Sequence, residues 1–233
     1  MNLRMVLEHL YLVAVSCFFV ILSGVPLGIF TYYHPKVGKV ILTAVDLMQT
    51  VPVLAVMGLL MTVFGANGLT VIIAMVLYLL LPVVRNTETG LKNVSAVYKE
   101  TADAMGMNRW EKLRYVEIPM AFPFILTGIR IAVVTAVGVA VFGTFVGGGG
   151  LGSVLYRGIR IQNFAMIFRG TFALMVMSMV FDYLLGFLEK KGEASYEEKK
   201  TSQISGDICC MSVSSVFLCL RIQRQKDGDN HRW

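Results

Sequence analysis

Residues 100–119 read ETADAMGMNRWEKLRYVEIP, a charged stretch that lies between two segments of almost wholly apolar sequence. Seven of these twenty residues carry a charge, and Lys99 directly precedes them. Such a stretch must reach water, because charges are costly inside a bilayer. Helical spacing predicts a short amphipathic helix, one face of which carries Ala102, Met105, Gly106 and Leu113. We expect Gly106 to interrupt this helix and Pro119 to end the segment, which gives two short helices outside the membrane, separated near residues 106–108.

The chain as a whole has the composition of an integral membrane protein. Its 233 residues are 56% hydrophobic and only 15% charged, and the mean hydropathy is +0.67. The net charge of +6 could suggest a nucleic-acid partner. The basic residues are instead spread among loops and the tail, as in membrane proteins, so no nucleic acid is expected. The four cysteines show no CxxC spacing and no accompanying histidines, so the sequence predicts neither a metal site nor a redox site.

Five apolar segments are long enough to cross a hydrocarbon core of about 30 Å as helices. They are residues 10–29, 40–64, 66–84, 122–146 and 164–188. Lysine and arginine number two in the loop after the first span, six in residues 85–119 and four at the start of the tail, against three on the other side. The sequence thus predicts an all-α membrane protein with about five spans, a cytoplasmic loop at 85–121, an external N-terminus and a cytoplasmic C-terminus.

The last part of the chain, residues 192–233, differs from the spans in composition. Residues 192–207 are polar, whereas residues 208–220 form an apolar run of thirteen residues, which is too short for a comfortable crossing. We therefore expect a membrane domain over residues 1–191 and a tail that does not cross the membrane. Nothing in its sequence assigns the tail a role.

Two acidic residues lie inside the predicted spans, where ionisable groups are candidates for function. Asp46 and Asp182 each lie near one end of a span. Pairing with an arginine such as Arg85 or Arg130 is the favoured interpretation. A proton or ion relay is not favoured, because no chain of acidic residues continues across the bilayer.

Two further segments could take part in translocation. Gln49, Thr50 and Pro52 are candidates for lining a pore, since Pro52 would free a backbone carbonyl that a polar substrate or a neighbouring helix could use. The glycine run at 147–150 either permits close approach of a substrate or lets helices pack tightly, and packing is favoured. No GK[ST] follows these glycines, which excludes a Walker-type phosphate loop.

The charged stretch resembles the cytoplasmic "EAA" loop by which permeases of ABC importers dock onto their ATPase. The resemblance rests on Glu100-Thr101-Ala102, on Gly106 after three intervening residues, and on Val116-Glu117-Ile118-Pro119 after nine more. Thr101 departs from the family's first alanine, and Val116 and Ile118 stand where isoleucine and leucine are commoner. A solvated loop without a partner is the alternative.

Over roughly residues 7–191 the chain resembles the permeases of osmoprotectant importers, the glycine betaine, carnitine and choline type. This resemblance rests on QTVP at 49–52, LLLPVVRNT at 79–87, GIR at 128–130 and the glycine run. Methionine importers share the five-span architecture and the glycine-rich stretch, but LLPVVRNT favours the osmoprotectant group. Betaine, choline, carnitine, ergothioneine-like betaines and methionine remain open as substrates, because selection resides mainly in a separate binding protein.

The resemblance implies a non-catalytic membrane subunit with several partners. It would pair with a second copy or a homologous permease, bind cytoplasmic ATPase subunits and receive substrate from an external binding protein. ATP would be bound by the partner subunit, with no cofactor in this chain. The implied ATPase-coupling residues are Glu100, Thr101, Ala102, Gly106, Met107, Trp110 and Pro119.

Two other classes of protein are the competing hypotheses. A secondary transporter could use Asp46 and Asp182 as proton carriers, and its uptake would follow an ion gradient and survive ATP depletion. A membrane-embedded enzyme would need paired carboxylates or a histidine cluster. His9, His34 and His231 lie far apart in sequence, which argues against an enzyme.

Overall fold

The computed structural model describes residues 3–190 and Gly192, and the regular elements within that part are all helical. The helices are α1 (Leu3–Tyr33), α2 (Pro35–Thr50), α3 (Val53–Phe64), α4 (Gly68–Asn93), α5 (Ala96–Ala104), α6 (Arg109–Lys112), α7 (Ile118–Ala140), α8 (Gly152–Arg160) and α9 (Phe164–Lys190). A π-helical segment (Leu113–Glu117) joins α6 to α7, and a 3-10 segment (Val141–Val146) follows α7. Nearly all of the predicted tail, residues 193–233, lies outside the described residues.

Among the described residues, four helical stretches are long and apolar enough to cross a membrane. They are α1, α4, α9 and the continuous stretch Arg109–Val146. The pair α2 and α3 passes the same test together, but its two helices meet at an angle of 97°. Pro52 explains this break, because it donates no hydrogen bond and holds Val51 in an extended conformation with φ −77° and ψ 131°. The predicted all-helical membrane fold is therefore confirmed, with the second span broken.

Helix α4 extends beyond the end of the apolar sequence from which its span was predicted. It continues to Asn93, whereas the predicted span ends at Val84. The added turns are polar in sequence but bury Thr87, Glu88 and Leu91 against the rest of the bundle. Hydropathy shows where a sequence stops being apolar enough for the bilayer core, but a helix can continue beyond that point. The end of α4 therefore differs from the predicted end of the span.

Pro119 does not end the charged segment, and that prediction is wrong. The backbone stays helical from Arg109 to Val146, straight through Pro119. Pro119 lies in the first turn of α7, where a proline is tolerated, directly after the π-helical segment in which the amide of Ile118 bonds to the carbonyl of Leu113, five residues back. The charged segment and the fourth span are consequently one continuous helix.

Close contacts at glycines hold α1, α4 and α7 together. A Cβ atom added to Gly28 of α1 would lie 2.6 Å from Cβ of Thr87 in α4. Between α4 and α7, a Cβ on Gly90 would lie 2.7 Å from Cβ of Phe124, and Gly128 is equally crowded. Small residues let helix backbones approach one another, which is how membrane helices gain packing energy where lipid is as apolar as protein.

The bundle has two distinct ends. At the glycine end, which carries Gly147–Gly150, His9 near the start of α1 approaches the carbonyl of Val137 near the end of α7, with 3.1 Å between Nε2 and O. At the α5–α6 end, Tyr32 in the last turn of α1 contacts Glu117 just before α7. Helices α1 and α7 therefore run in opposite directions, as the predicted alternation of spans requires.

Candidate docking surface and translocation elements

The end of α5 is a tight turn built on Gly106. Gly106 has a φ of +77°, in the left-handed region that favours glycine. Its amide donates to the carbonyl of Asp103 at 3.0 Å, and the amide of Met107 donates to the carbonyl of Ala102 at 3.1 Å. This pair of hydrogen bonds is the Schellman arrangement that closes a helix C-terminus. The interruption predicted at Gly106 is present.

Asn108 starts α6 immediately afterwards. Its Oδ1 accepts hydrogen bonds from the amides of Trp110 and Glu111, each at 2.9 Å, and the Glu111 carboxylate accepts from the Asn108 amide at 2.8 Å. This reciprocal pair is a capping box, which satisfies amides at the helix N-terminus. An ion pair of 2.6 Å between Lys112 and Asp103 then ties α6 to α5. The two short helices are thus held at a fixed angle.

The α5–α6 turn exposes large apolar side chains at the hydrated end of the bundle. Trp110 is 74% exposed, Tyr115 66% and Met105 63%. Apart from its chain neighbours, no described atom lies within 4 Å of a Cβ added to Gly106, so a partner can approach the backbone there. Exposed apolar side chains grouped among charged residues mark protein interfaces. We call Met105, Gly106, Trp110 and Tyr115 the docking surface.

The single apolar face predicted for this stretch is wrong in part. Ala102 and Leu113 are buried, at 0% and 1% exposure, whereas Met105 is exposed and Gly106 lies on the outer surface. The left-handed turn at Gly106 redirects the chain, so a helical periodicity carried across it does not describe one face.

Six of the seven predicted coupling residues lie in the α5–α6 turn or in the helices that flank it. Glu100, Thr101 and Trp110 are exposed, Ala102 is buried, Met107 is half-buried, and Gly106 forms the turn. Pro119 is exposed but lies beyond the π-helical segment, inside α7. The turn therefore gathers the first six, and Pro119 belongs to the helix that leads into the membrane.

The three predicted pore residues lie at the break between α2 and α3. The Gln49 side chain donates a hydrogen bond of 2.9 Å to the backbone carbonyl of Tyr78 in α4. That carbonyl has no helical donor, because Pro82 stands four residues later and has no N–H. Thr50 bonds within its own helix, and Pro52 is the N-cap of α3. In this structure Gln49 therefore supplies the hydrogen-bond donor that the Tyr78 carbonyl lacks within α4.

The acidic residues of the spans are paired with the arginines expected from the sequence. Asp46 lies 2.5 Å from Arg85. Asp182 binds Arg130 through both oxygens, at 2.7 and 2.9 Å, and Glu189 binds the same guanidinium at 2.7 Å. The pairing interpretation is confirmed, with Glu189 as a further partner that joins α9 to α7.

The glycine run packs against the rest of the bundle. Gly147 has a φ of +81°, and a Cβ there would lie 3.0 Å from the carbonyl oxygen of Ala66. A Cβ on Gly148 would lie 2.6 Å from Cγ2 of Val71. These contacts support the packing interpretation, because a larger side chain at either position would push the loop away from α4.

A buried carboxylate at the α5–α6 end was not predicted. Glu117 is 2% exposed and accepts hydrogen bonds from Tyr32 and Tyr33 at 2.9 and 3.0 Å. The partners are 85 and 84 positions away in sequence. The available signal was weak: an acidic residue with apolar neighbours just before a long apolar run.

Comparisons with known proteins agree with this architecture. The family described as binding-protein-dependent transport system inner membrane component matches residues 24–192. A chain of the solved structure of inward facing conformations of the MetNI methionine ABC transporter, in its CY5 SeMet soak crystal form, superposes with a TM-score of 0.73. It is 21% identical, and the match covers 82% of this chain and 99% of that chain. The predicted methionine-importer-like fold is confirmed.

Three curated relatives are similar over most of their length. Carnitine transport permease protein OpuCD of Listeria monocytogenes serotype 1/2a (strain 10403S) is 38% identical, covering 78% of this chain and 82% of the relative. Glycine betaine/carnitine/choline transport system permease protein OpuCD of Bacillus subtilis (strain 168) is 36% identical, covering 84% of this chain and 90% of the relative. Choline transport system permease protein OpuBD of the same organism is 38% identical, covering 78% of this chain and 81% of the relative. On its fold, the extent of the family match and these relatives, the chain belongs to the family of binding-protein-dependent transport system inner membrane components.

Proposed function

We propose that the chain is the transmembrane subunit of an ATP-driven importer for a quaternary ammonium osmoprotectant of the glycine betaine, carnitine or choline type. The observation that carries this proposal is the set of relatives at 36–38% identity that are named as permeases for carnitine, glycine betaine and choline. The methionine transporter supports the fold only, since its identity is 21%. A methionine-type substrate is therefore the alternative to be tested.

The docking surface supports an ATPase partner at the α5–α6 end. Trp110 and Met105 offer apolar anchors there, and the hydrogen-bonded turn at Gly106 lowers the backbone ordering cost of binding. We propose that cytoplasmic ATPase subunits bind this surface and hold the ATP, while this chain is non-catalytic and carries no cofactor. A second permease copy or a homologous permease completes the pathway, and an external binding protein delivers the substrate.

The proposed orientation in the bacterial cell membrane follows from charge. The segment that forms the α5–α6 end is rich in lysine and arginine, and positive residues favour the cytoplasmic side. We propose that this end faces the cytoplasm and that the glycine end, with the start of α1, faces outward. The C-terminus would then be cytoplasmic.

An ion-coupled mechanism has less support. Asp46 and Asp182, the candidate proton carriers, are each bound to an arginine. Each carboxylate thus has a fixed partner within the bundle, which supports a structural role for both residues.

The test is reconstitution of the tagged chain with co-expressed ATPase subunits and binding protein from the same genome. Proteoliposomes would be supplied with labelled glycine betaine, carnitine, choline or methionine. Uptake that requires ATP and binding protein, with a quaternary ammonium compound preferred, is the expected result. Methionine uptake would overturn the substrate assignment, and ATP-independent uptake by the chain alone would overturn the importer.

A further inference from the structure

Glu117 is positioned to join two helices that are distant in sequence. It lies at the junction between the π-helical segment and α7, and both of its carboxylate oxygens are used. Oε1 accepts from Tyr32 and Oε2 accepts from Tyr33, at the last two positions of α1. The end of α1 is thus held to the start of α7 by two hydrogen bonds to one buried carboxylate.

Glu117, Tyr32 and Tyr33 form a cluster at the ends of α1 and α7. Helix α5 contacts this cluster through Lys99. Its ammonium lies 5.2 Å from the ring centroid of Tyr32, within cation–π range. The same ammonium donates to the carbonyl of Leu91 in the last turn of α4, at 3.1 Å. Tyr32 is therefore in contact with α5 on one side and with Glu117 on the other.

The cluster is also continuous with the docking surface. From Trp110 to Glu117 the backbone is helical without a break, so a displacement of Trp110 is carried along the helix to the carboxylate. On the other side, one turn before Tyr32, Gly28 lies in close contact with Thr87 of α4. A movement of the end of α1 consequently reaches the packed core.

We propose that Glu117, Tyr32 and Tyr33 form the mechanical link that passes movement of the docking surface to α1. This inference rests on the proposed importer function. Separation of α1 from α7 would leave a buried carboxylate without donors, which is strongly unfavourable. The two helix ends therefore move together when an ATPase displaces α6. Glu117 acts here as a positioning residue and touches no substrate.

The test compares hydroxyl deletions in the reconstituted complex of permease, ATPase subunits and binding protein. Tyr32→Phe, Tyr33→Phe and the double variant remove the donors but keep the rings. Tyr11→Phe is the matched control, because Tyr11 lies in the same helix and is 62% exposed. The quantity measured is the number of ATP molecules hydrolysed per glycine betaine molecule imported, together with the amount of ATPase that co-purifies.

Loss of one hydrogen bond to a charged group shifts an equilibrium by roughly tenfold or more. We expect each single variant to raise the ATP-to-substrate ratio by about tenfold, the double variant by more, and the control not at all, with ATPase co-purification unchanged. A merely structural role would lower ATPase co-purification and leave the ratio of the surviving complexes intact.

The possible outcomes separate this inference from the proposed function. A wild-type complex that couples ATP hydrolysis to uptake, with the wild-type ratio retained in the tyrosine variants, would overturn the link. Should the double variant fail to insert, Tyr33→Phe decides in its place, since it leaves the contact with Tyr32 intact. A wild-type complex without ATP-dependent uptake would reject the importer itself, whatever the variants do.

Discussion

Replacing Gly28 with alanine should force α1 and α4 apart. The new Cβ would lie 2.6 Å from Cβ and 2.8 Å from Cγ2 of Thr87, and 2.9 Å from the carbonyl oxygen of Val84. One of these three atoms is backbone, which cannot rotate away. Gly138→Ala is the matched control, because Gly138 is also helical and no described atom outside its own stretch of helix lies within 4 Å of its added Cβ.

The two variants differ in packing alone. Both exchange glycine for alanine inside a helix, which by itself stabilises by about 1 kcal/mol. Overpacking at Gly28 costs about 1–3 kcal/mol, whereas Gly138 has open space. The propensity gain cancels in the comparison, so we expect Gly28→Ala to be less stable than Gly138→Ala by about 1–3 kcal/mol.

Thermal unfolding of the two purified variants in the same detergent measures this difference. For a chain of this size, 1 kcal/mol corresponds to about 2–4 °C, so the two Tm values should differ by roughly 2–12 °C. The Tm of the wild-type protein should lie between the Tm values of the two variants or close to that of Gly138→Ala. A Gly28→Ala protein as stable as Gly138→Ala would refute the close helix contact and the packing argument built on it.

Three further predictions concern the docking surface and the break between α2 and α3. Trp110→Ala should weaken ATPase binding by at least about 2 kcal/mol, as loss of an aromatic anchor does, and unchanged affinity in a pull-down titration would contradict this. Gly106→Asp should insert normally, because the site is open, but lose ATP-coupled uptake, since a left-handed non-glycine residue is strained by about 1–2 kcal/mol. Full uptake per inserted molecule would count against the role of the turn. Gln49→Leu should lower the free energy of unfolding by about 1–3 kcal/mol through the unpaired Tyr78 carbonyl, while Thr50→Ala should change it little; equal effects in a denaturant titration would exclude the proposed hydrogen bond.

Much of the candidate docking surface could be predicted because its signals are local. A glycine such as Gly106 commonly ends a helix, because it adopts the left-handed conformation without strain. The charges of residues 100–119 require water in any fold. The error at Met105 arose at that same turn, since a periodicity holds only while the backbone remains helical. Pro119 misled for a related reason: proline removes one hydrogen-bond donor, but the helix continues because Pro119 falls in the first turn that follows the π-helical segment.

The sequence by itself determined the order of the apolar segments, the turn at Gly106 and the expectation that the acidic residues of the spans pair with arginines. These features depend on hydropathy, charge and spacing, which are properties of each segment's own sequence. Only the tertiary structure decided that Gln49 satisfies the carbonyl freed by Pro82, and that Glu117 receives the hydroxyls at the end of α1. The physical reason is that a buried polar group needs a partner but does not specify which one, and the partner is fixed by the helix faces that pack together.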